Sequence, residues 1–253
     1  MLDVAIQAAK AGAEALLKYH ASLRRDQIAL KGPNDFVTEA DRESERRVSD
    51  ILRRAFPDHA ITGEEGGASE GSAEYRWIID PLDGTVNFAH GYPAFCVSIA
   101  CEADGVLEYG VIYDPLRDEL FEGVRGGGAT LNGRPIRVSA TGRLERALIA
   151  TGFPYDIRER IPATMARLSR IVAIAQGLRR AGSAALDMCY VACGRLDGYF
   201  EENLKPWDTA AGLVILTEAG GRITTFDGGA YDIYAPNIAA SNELLHQNML
   251  EQL

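Results

Sequence analysis

Six carboxylates stand where the chain changes direction. Asp41 closes TEAD, Glu64 and Glu65 sit in a Gly-flanked loop, Asp80 and Asp83 leave an apolar run, and Asp208 opens a helix. Hard divalent cations such as Mg²⁺ take oxygen ligands and give up water reluctantly, so carboxylates joined by a backbone carbonyl suit them. Zinc would call for a His/Cys cluster, but the four histidines are scattered. Direct attack by water, without a covalent intermediate on the protein, is the expected route. The chemistry that fits is hydrolysis in which a cation acidifies water and neutralises charge on the departing oxygen.

The densest of these stretches is WIIDPLDGTVNF, Trp77 to Phe88. Pro81 fixes the backbone and is expected to end a strand. Asp80, the Leu82 carbonyl and Asp83 are then expected to turn toward one point. Gly84 permits close backbone approach, Asp83 is expected to cap a short helix, and the Gly84 and Thr85 N–H groups open toward an anion. A plain surface turn has the same composition, but the apolar flanks WII and VNF argue that this turn is buried at both ends. Bland readings stand beside the other acids. Glu64 and Glu65 could be solvated charge, Asp208 a helix-start acid, and Thr38 and Asp41 helix caps.

The elements that must position these residues follow from periodicity. Helical spacing covers 2–20 and 40–55, with Pro57 ending the second. A loop is expected over 62–76. Strands are expected at 77–80, 94–102, 106–113 and 118–123, with hairpin turns at 103–105 and 114–118. GGGATLNGRPIRV carries turns and a short strand. Then follow strand 147–152, helices 161–177 and 182–194, strand 196–201, helix 207–221, strand 237–241 and a last helix. Helices alternating with groups of strands argue an α/β (α+β layered) architecture in which helices cover the sheets.

The chain has 253 residues, 47% hydrophobic and 25% charged, with a net charge of −10. This fits one domain over 1–253, with parts of about 1–140 and 141–253. The negative balance disfavours direct nucleic-acid and anionic-membrane binding, and no apolar run is long enough to span a bilayer. The N-terminus lacks a signal-peptide pattern. Cys96, Cys101, Cys189 and Cys193 form no CxxC pair and lie in apolar runs, as reduced cysteines of a cytoplasmic protein do. Cys189 and Cys193 stand i,i+4, where a metal or redox role is the alternative to core packing.

The sequence resembles the inositol monophosphatase family, Mg²⁺-dependent and lithium-sensitive phosphatases. The resemblance rests on WIIDPLDGTVNFAHGYP (77–93), WDTAAGLVILTEAGG (207–221), DFVTEAD (35–41), GEE (63–65) and RAGSAALDM (180–188), in the family order and spanning nearly the whole chain. It implies an αβαβα sandwich of the sugar phosphatase type. Glu64, Asp80 and the Leu82 carbonyl would hold one metal, and Asp80, Asp83 and Asp208 a second, with Glu64 serving a third through waters. The ions would be two or three Mg²⁺, with Mn²⁺ as a substitute and Li⁺ as an inhibitor. Thr85 would pair with Asp41 near the attacking water. Gly84 and Thr85 would meet the phosphate, while Glu201, Gly182, Ser183 and Ala184, with Asp83 and Asp208, would meet the rest of the substrate. Lys31 matches a basic residue of the family at a spacing one residue shorter than in animal relatives.

The implied activity is hydrolysis of inositol 1-phosphate, and the implied assembly a homodimer. Related phosphatases for fructose 1,6-bisphosphate, NADP, histidinol phosphate or adenosine 3′,5′-bisphosphate form the alternative, although DGTVNF differs from the DGTKEF of sulfonucleotide-type relatives. A non-catalytic regulator that binds a partner on this scaffold is a second alternative.

Overall fold

The computed structural model describes residues 1–21, 39–64, 67–69, 72–154 and 156–253. Lys31, Thr38, Glu65 and most of DFVTEAD lie outside the described residues.

Two helices open the chain, α1 (Leu2–His20) and α2 (Glu39–Ala55). The small buried positions of α1 (Ala5, Ala9, Gly12, Ala13, Leu16) recur at helical spacing. At Gly12 a Cβ would lie 2.8 Å from both Ser44 Oγ and Val48 Cγ2, so this glycine sets how closely the helices cross. Together they cover one face of an eight-stranded sheet. Its strands are β1 (His59–Gly63), β2 (Gly67–Ser69), β3 (Ser72–Asp83), β4 (Cys96–Ala103), β5 (Val106–Asp114), β6 (Glu119–Val124), β7 (Gly128–Leu131) and β8 (Arg134–Pro135). The order is β2-β1-β3-β4-β5-β6-β7-β8, antiparallel except for β1 beside β3.

A second sheet follows, with β9 (Leu148–Thr151), β10 (Gly177–Arg179), β11 (Gly198–Glu202), β12 (Gly221–Thr224) and β13 (Asn237–Asn242) in the order β10-β9-β11-β13-β12. Between the sheets lie α5 (Ala184–Ala192) and α6 (Pro206–Glu218). Their alanines, Met188 and Ile215 pack on Ile78, Ile112 and Phe121 of the first sheet and on Tyr199 and Ile238 of the second. The outer face of the second sheet is closed by α4 (Ile157–Ile174) and α7 (Glu243–Leu250), through Ile171, Leu245 and Met249. The result is the expected αβαβα order. The central layer sits tight on the first sheet. A Cβ on Gly110 would lie 2.4 Å from the Ala211 carbonyl oxygen, and one on Gly123 2.8 Å from Ile215 Cα, so glycines let α6 rest on backbone.

Several sequence expectations are corrected. The 62–76 stretch is not a loop throughout, because β1 reaches Gly63, β2 spans Gly67–Ser69 and β3 starts at Ser72. Its Gly- and Glu-rich composition reads as loop, yet pairing of His59–Gly63 alongside β3 makes it strand. The 161–177 helix instead spans Ile157–Ile174, with Gly177–Arg179 an edge strand, and the 207–221 helix stops at Glu218. Gly220 takes φ 83°, a left-handed exit that ends the helix and admits β12.

Candidate active site

The site begins with a defect in β3. Trp77 and Ile79 pack toward α1 and α2, whereas Ile78 packs toward α5 and α6. Regular alternation would send Asp80 and Asp83 to opposite faces. Instead Asp80 pairs with Ser98 and Asp83 with Cys96, so Pro81 and Leu82 of β3 stand against Val97 alone on β4. This β-bulge at Pro81–Leu82 inserts one residue and re-aims the strand. Leu82 returns to the α1/α2 core, and both aspartates face the central layer. Pro81 therefore does not end the strand; it occupies the bulge, where its missing N–H costs no ladder bond. Ser44 of α2 donates to the Pro81 carbonyl at 2.8 Å and pins the bulge from behind.

Beyond the bulge, α3 (Thr85–His90) starts at Gly84, whose φ is 92°. A Cβ there would come within 2.7 Å of the Ala94 carbonyl oxygen, so only glycine fits. Asp83 does not cap α3. Its Oδ2 accepts from Ser183 Oγ at 2.5 Å and from the Ala185 amide at 2.8 Å, at the N-terminus of α5. A carboxylate at that helix end gains from the orphan N–H groups there. Asp208, in the first turn of α6, accepts from the Lys205 amide at 2.6 Å through Oδ2, so its helix-start role is real alongside any other. The Leu82 amide donates to Asp80 Oδ1 at 3.0 Å.

Asp41, Glu64, Asp80, Leu82, Asp83, Gly84, Thr85 and Asp208 border one cleft of about 320 Å³, together with Gly182, Ala184 and Glu201 from the opposite wall. Ser183 is placed differently. It is buried beneath the cleft with its hydroxyl on Asp83. Thr85 donates its hydroxyl to the Leu82 carbonyl at 3.0 Å rather than to Asp41, so the expected Thr85–Asp41 bond is not the one it makes here. His90 is exposed at the end of α3, and Cys189 and Cys193 are free thiols raised by burial. Both thiols pack in or against the core cluster around α5.

The electrostatics are those of crowded anions. Burial, then the charges of Glu64, Asp83, Asp208 and Asp41, push the Asp80 carboxyl well above the usual carboxylate range. Burial raises Asp83 as well, while Ser183 and the α5 amides pull it back. Burial, then Asp83, pushes Asp208 up to about 8. Among the described residues no Lys or Arg side chain pairs with Asp80, Asp83 or Asp208. They are also not drawn into a closed ligand cage, each being tied to nearby N–H or O–H donors. Buried acids that repel one another without a counter-ion among the described residues fit a divalent cation in both oxygen chemistry and charge.

The opposite wall contains residues that the sequence did not single out. Phe153, Pro154, Ile157 and Leu204 give it an apolar face, and Arg180 a charge. Glu201 is held from two sides. Tyr199 donates to its Oε2 at 2.5 Å, and Gly152 leaves the space its carboxyl fills, since a Cβ there would fall 2.0 Å from Glu201 Cδ. Burial pushes Glu201 up to about 7. Asn87 joins the walls, its amide donating to the Ala94, Ala181 and Gly182 carbonyls at 2.7, 2.8 and 3.2 Å.

Five layers with an acidic cleft between the sheets define a layered α/β protein with a candidate cation site. The family model described as the inositol monophosphatase family matches residues 1–253. The chain is 45% identical to the Nus factor SuhB of Haemophilus influenzae over 256 aligned positions, covering 100% of this chain and 95% of that one. It is 43% identical to the inositol-1-monophosphatase of a Synechocystis species, covering 100% and 88%. The solved inositol monophosphatase from Anabaena superposes with a TM-score of 0.89 at 46% identity, covering 99% of this chain and 94% of that one. The chain belongs to the inositol monophosphatase family.

Proposed function

We propose that this protein hydrolyses a small phosphate monoester in a Mg²⁺-dependent reaction, with inositol 1-phosphate as the leading substrate. The observation that carries this reading is the β3 bulge, which turns Asp80 and Asp83 into the cleft that Glu64 and Asp208 also line. The name of the Synechocystis relative supports the substrate. Glu64, Asp80, the Leu82 carbonyl, Asp83 and Asp208 are the groups that would hold the cations. A bound divalent ion supplies Lewis acidity, lowering the pKa of water and offsetting phosphate charge.

The chain's own residues do the rest. The Gly84 and Thr85 amides bind phosphate oxygens at the turn after the bulge. Thr85 Oγ1, whose proton is committed to Leu82, keeps lone pairs to accept from the attacking water. Asp41 and Glu64 border the same space as acceptors for its proton. Glu201, fixed by Tyr199 and Gly152, accepts from hydroxyls of the leaving alcohol, with Gly182 and Ala184 shaping its pocket. Inhibition by millimolar Li⁺, a homodimer, one domain over 1–253 and a cytoplasmic location belong to the same reading.

The Haemophilus relative's name, Nus factor, supports a second reading in which the scaffold also serves a protein or nucleic-acid partner. The net charge of −10 favours a protein partner over direct nucleic-acid contact. The deciding experiment is a panel of phosphate esters ranked by kcat/KM with Mg²⁺: inositol 1-phosphate, fructose 1,6-bisphosphate, NADP, histidinol phosphate and adenosine 3′,5′-bisphosphate. Inositol 1-phosphate at the head is the expected result. A strong preference for another ester replaces the substrate, and release from none favours the partner-binding role.

A further inference from the structure

We infer that Arg180 is a specificity-determining residue that favours substrates with a second anionic group, a carboxylate or further phosphate, on the alcohol side of the scissile ester. The inference deepens the phosphatase reading and rests on it. Arg180 lies between β10 and α5 and borders the cleft on the wall that carries Glu201 and Phe153. Its guanidinium stacks over the Phe153 ring at 5.2 Å. On its other side Nη1 nestles against Gly182, where a Cβ would come within 2.6 Å. Ring and glycine together hold the charge in place although the side chain is exposed.

Arg180 is the arginine that borders this cleft among the described residues, and no described carboxylate pairs with it. Arg117 pairs with Asp114, Arg167 with Glu202, and Arg195 with Glu119. Among the described residues, Arg180 makes no hydrogen bond or ion pair; its charge reaches Glu201 and Asp187 only through space. A guanidinium fixed by stacking, with its donors unspent, presents a planar fork matched to carboxylate or phosphate oxygens. The scissile phosphate belongs on the facing wall, at the Gly84–Thr85 turn. An anion met by Arg180 therefore sits on the leaving alcohol. A cleft of about 320 Å³ lies in the range that holds a small sugar bisphosphate.

The test compares fructose 1-phosphate with fructose 1,6-bisphosphate, which share a sugar and differ by one phosphate. Wild type, Arg180→Ala and Arg180→Lys are assayed with Mg²⁺ for kcat/KM on each. The wild type is expected to prefer the bisphosphate to the monophosphate of the same sugar, with inositol 1-phosphate still ahead of both. Arg180→Ala lowers the bisphosphate-to-monophosphate ratio about tenfold or more, the scale of one lost charge-assisted bond. Arg180→Lys, charged but without the fork, falls between. An unchanged ratio overturns the inference, whether both rates hold or both fall together; equal losses would mean that Arg180 serves the scissile phosphate or the fold. If the wild type releases phosphate from no ester, inositol 1-phosphate included, the phosphatase reading fails instead. Calorimetric binding of fructose 1,6-bisphosphate then still tests Arg180, and equal affinity in wild type and Arg180→Ala overturns its role.

Discussion

The two walls of the cleft are built in different ways. On the first sheet, Asp80, Leu82, Asp83, Gly84 and Thr85 come from six consecutive residues, aimed by one bulge and one left-handed glycine. On the second sheet, Gly152, Phe153, Arg180, Gly182, Ala184 and Glu201 come from three separate segments brought together by strand pairing and by Asn87. The first wall concentrates charge that burial makes costly; the second mixes apolar surface with single polar groups. The contrast suggests a division of labour, with reaction chemistry in the local wall and choice of substrate in the assembled one.

Substitutions can break that division, and the largest effect belongs to the first wall. Asp83→Asn is expected to lower kcat on every phosphate ester on the order of 10³-fold, as loss of a central charge-stabilising group does; a loss confined to one substrate would blur the two walls. Next comes Ser183→Ala, which removes the 2.5 Å bond that orients Asp83. It is expected to raise the Mg²⁺ concentration for half-maximal rate roughly 10- to 100-fold. On the second wall, Glu201→Gln is expected to raise KM for inositol 1-phosphate about tenfold with little change for p-nitrophenyl phosphate, which has no hydroxyl to offer.

The smallest effect is on stability. Asp208 holds a proton below about 8 in the folded protein but only below about 4 when unfolded. Between those values the native state binds more protons, so this contribution is full near pH 4 and is lost as pH rises toward 8. Metal-free Asp208→Asn should therefore melt above wild type near pH 8, with the gap closing near pH 4. A gap that widens in acid would contradict the assignment.

The same contrast governs what could be read from the sequence. DPLDGT was legible as a candidate site because its residues are adjacent, and the layered fold followed from periodicity. The mechanism of aiming was not legible, because a bulge is defined by a partner strand and Pro81 looks like a terminator until β4 is placed beside it. The partner of Asp83 lies 100 residues away in Ser183, which only tertiary structure reveals. Gly152 carried no signal either. Its role is to be absent where Glu201 needs room, and Arg180 became notable only once its stacking on Phe153 at the cleft wall was seen.

The most direct measurement is phosphate release from inositol 1-phosphate by wild-type protein stripped with a chelator and then titrated with Mg²⁺. The account predicts negligible release from the stripped protein and recovery that saturates with Mg²⁺. Undiminished release after stripping would contradict it.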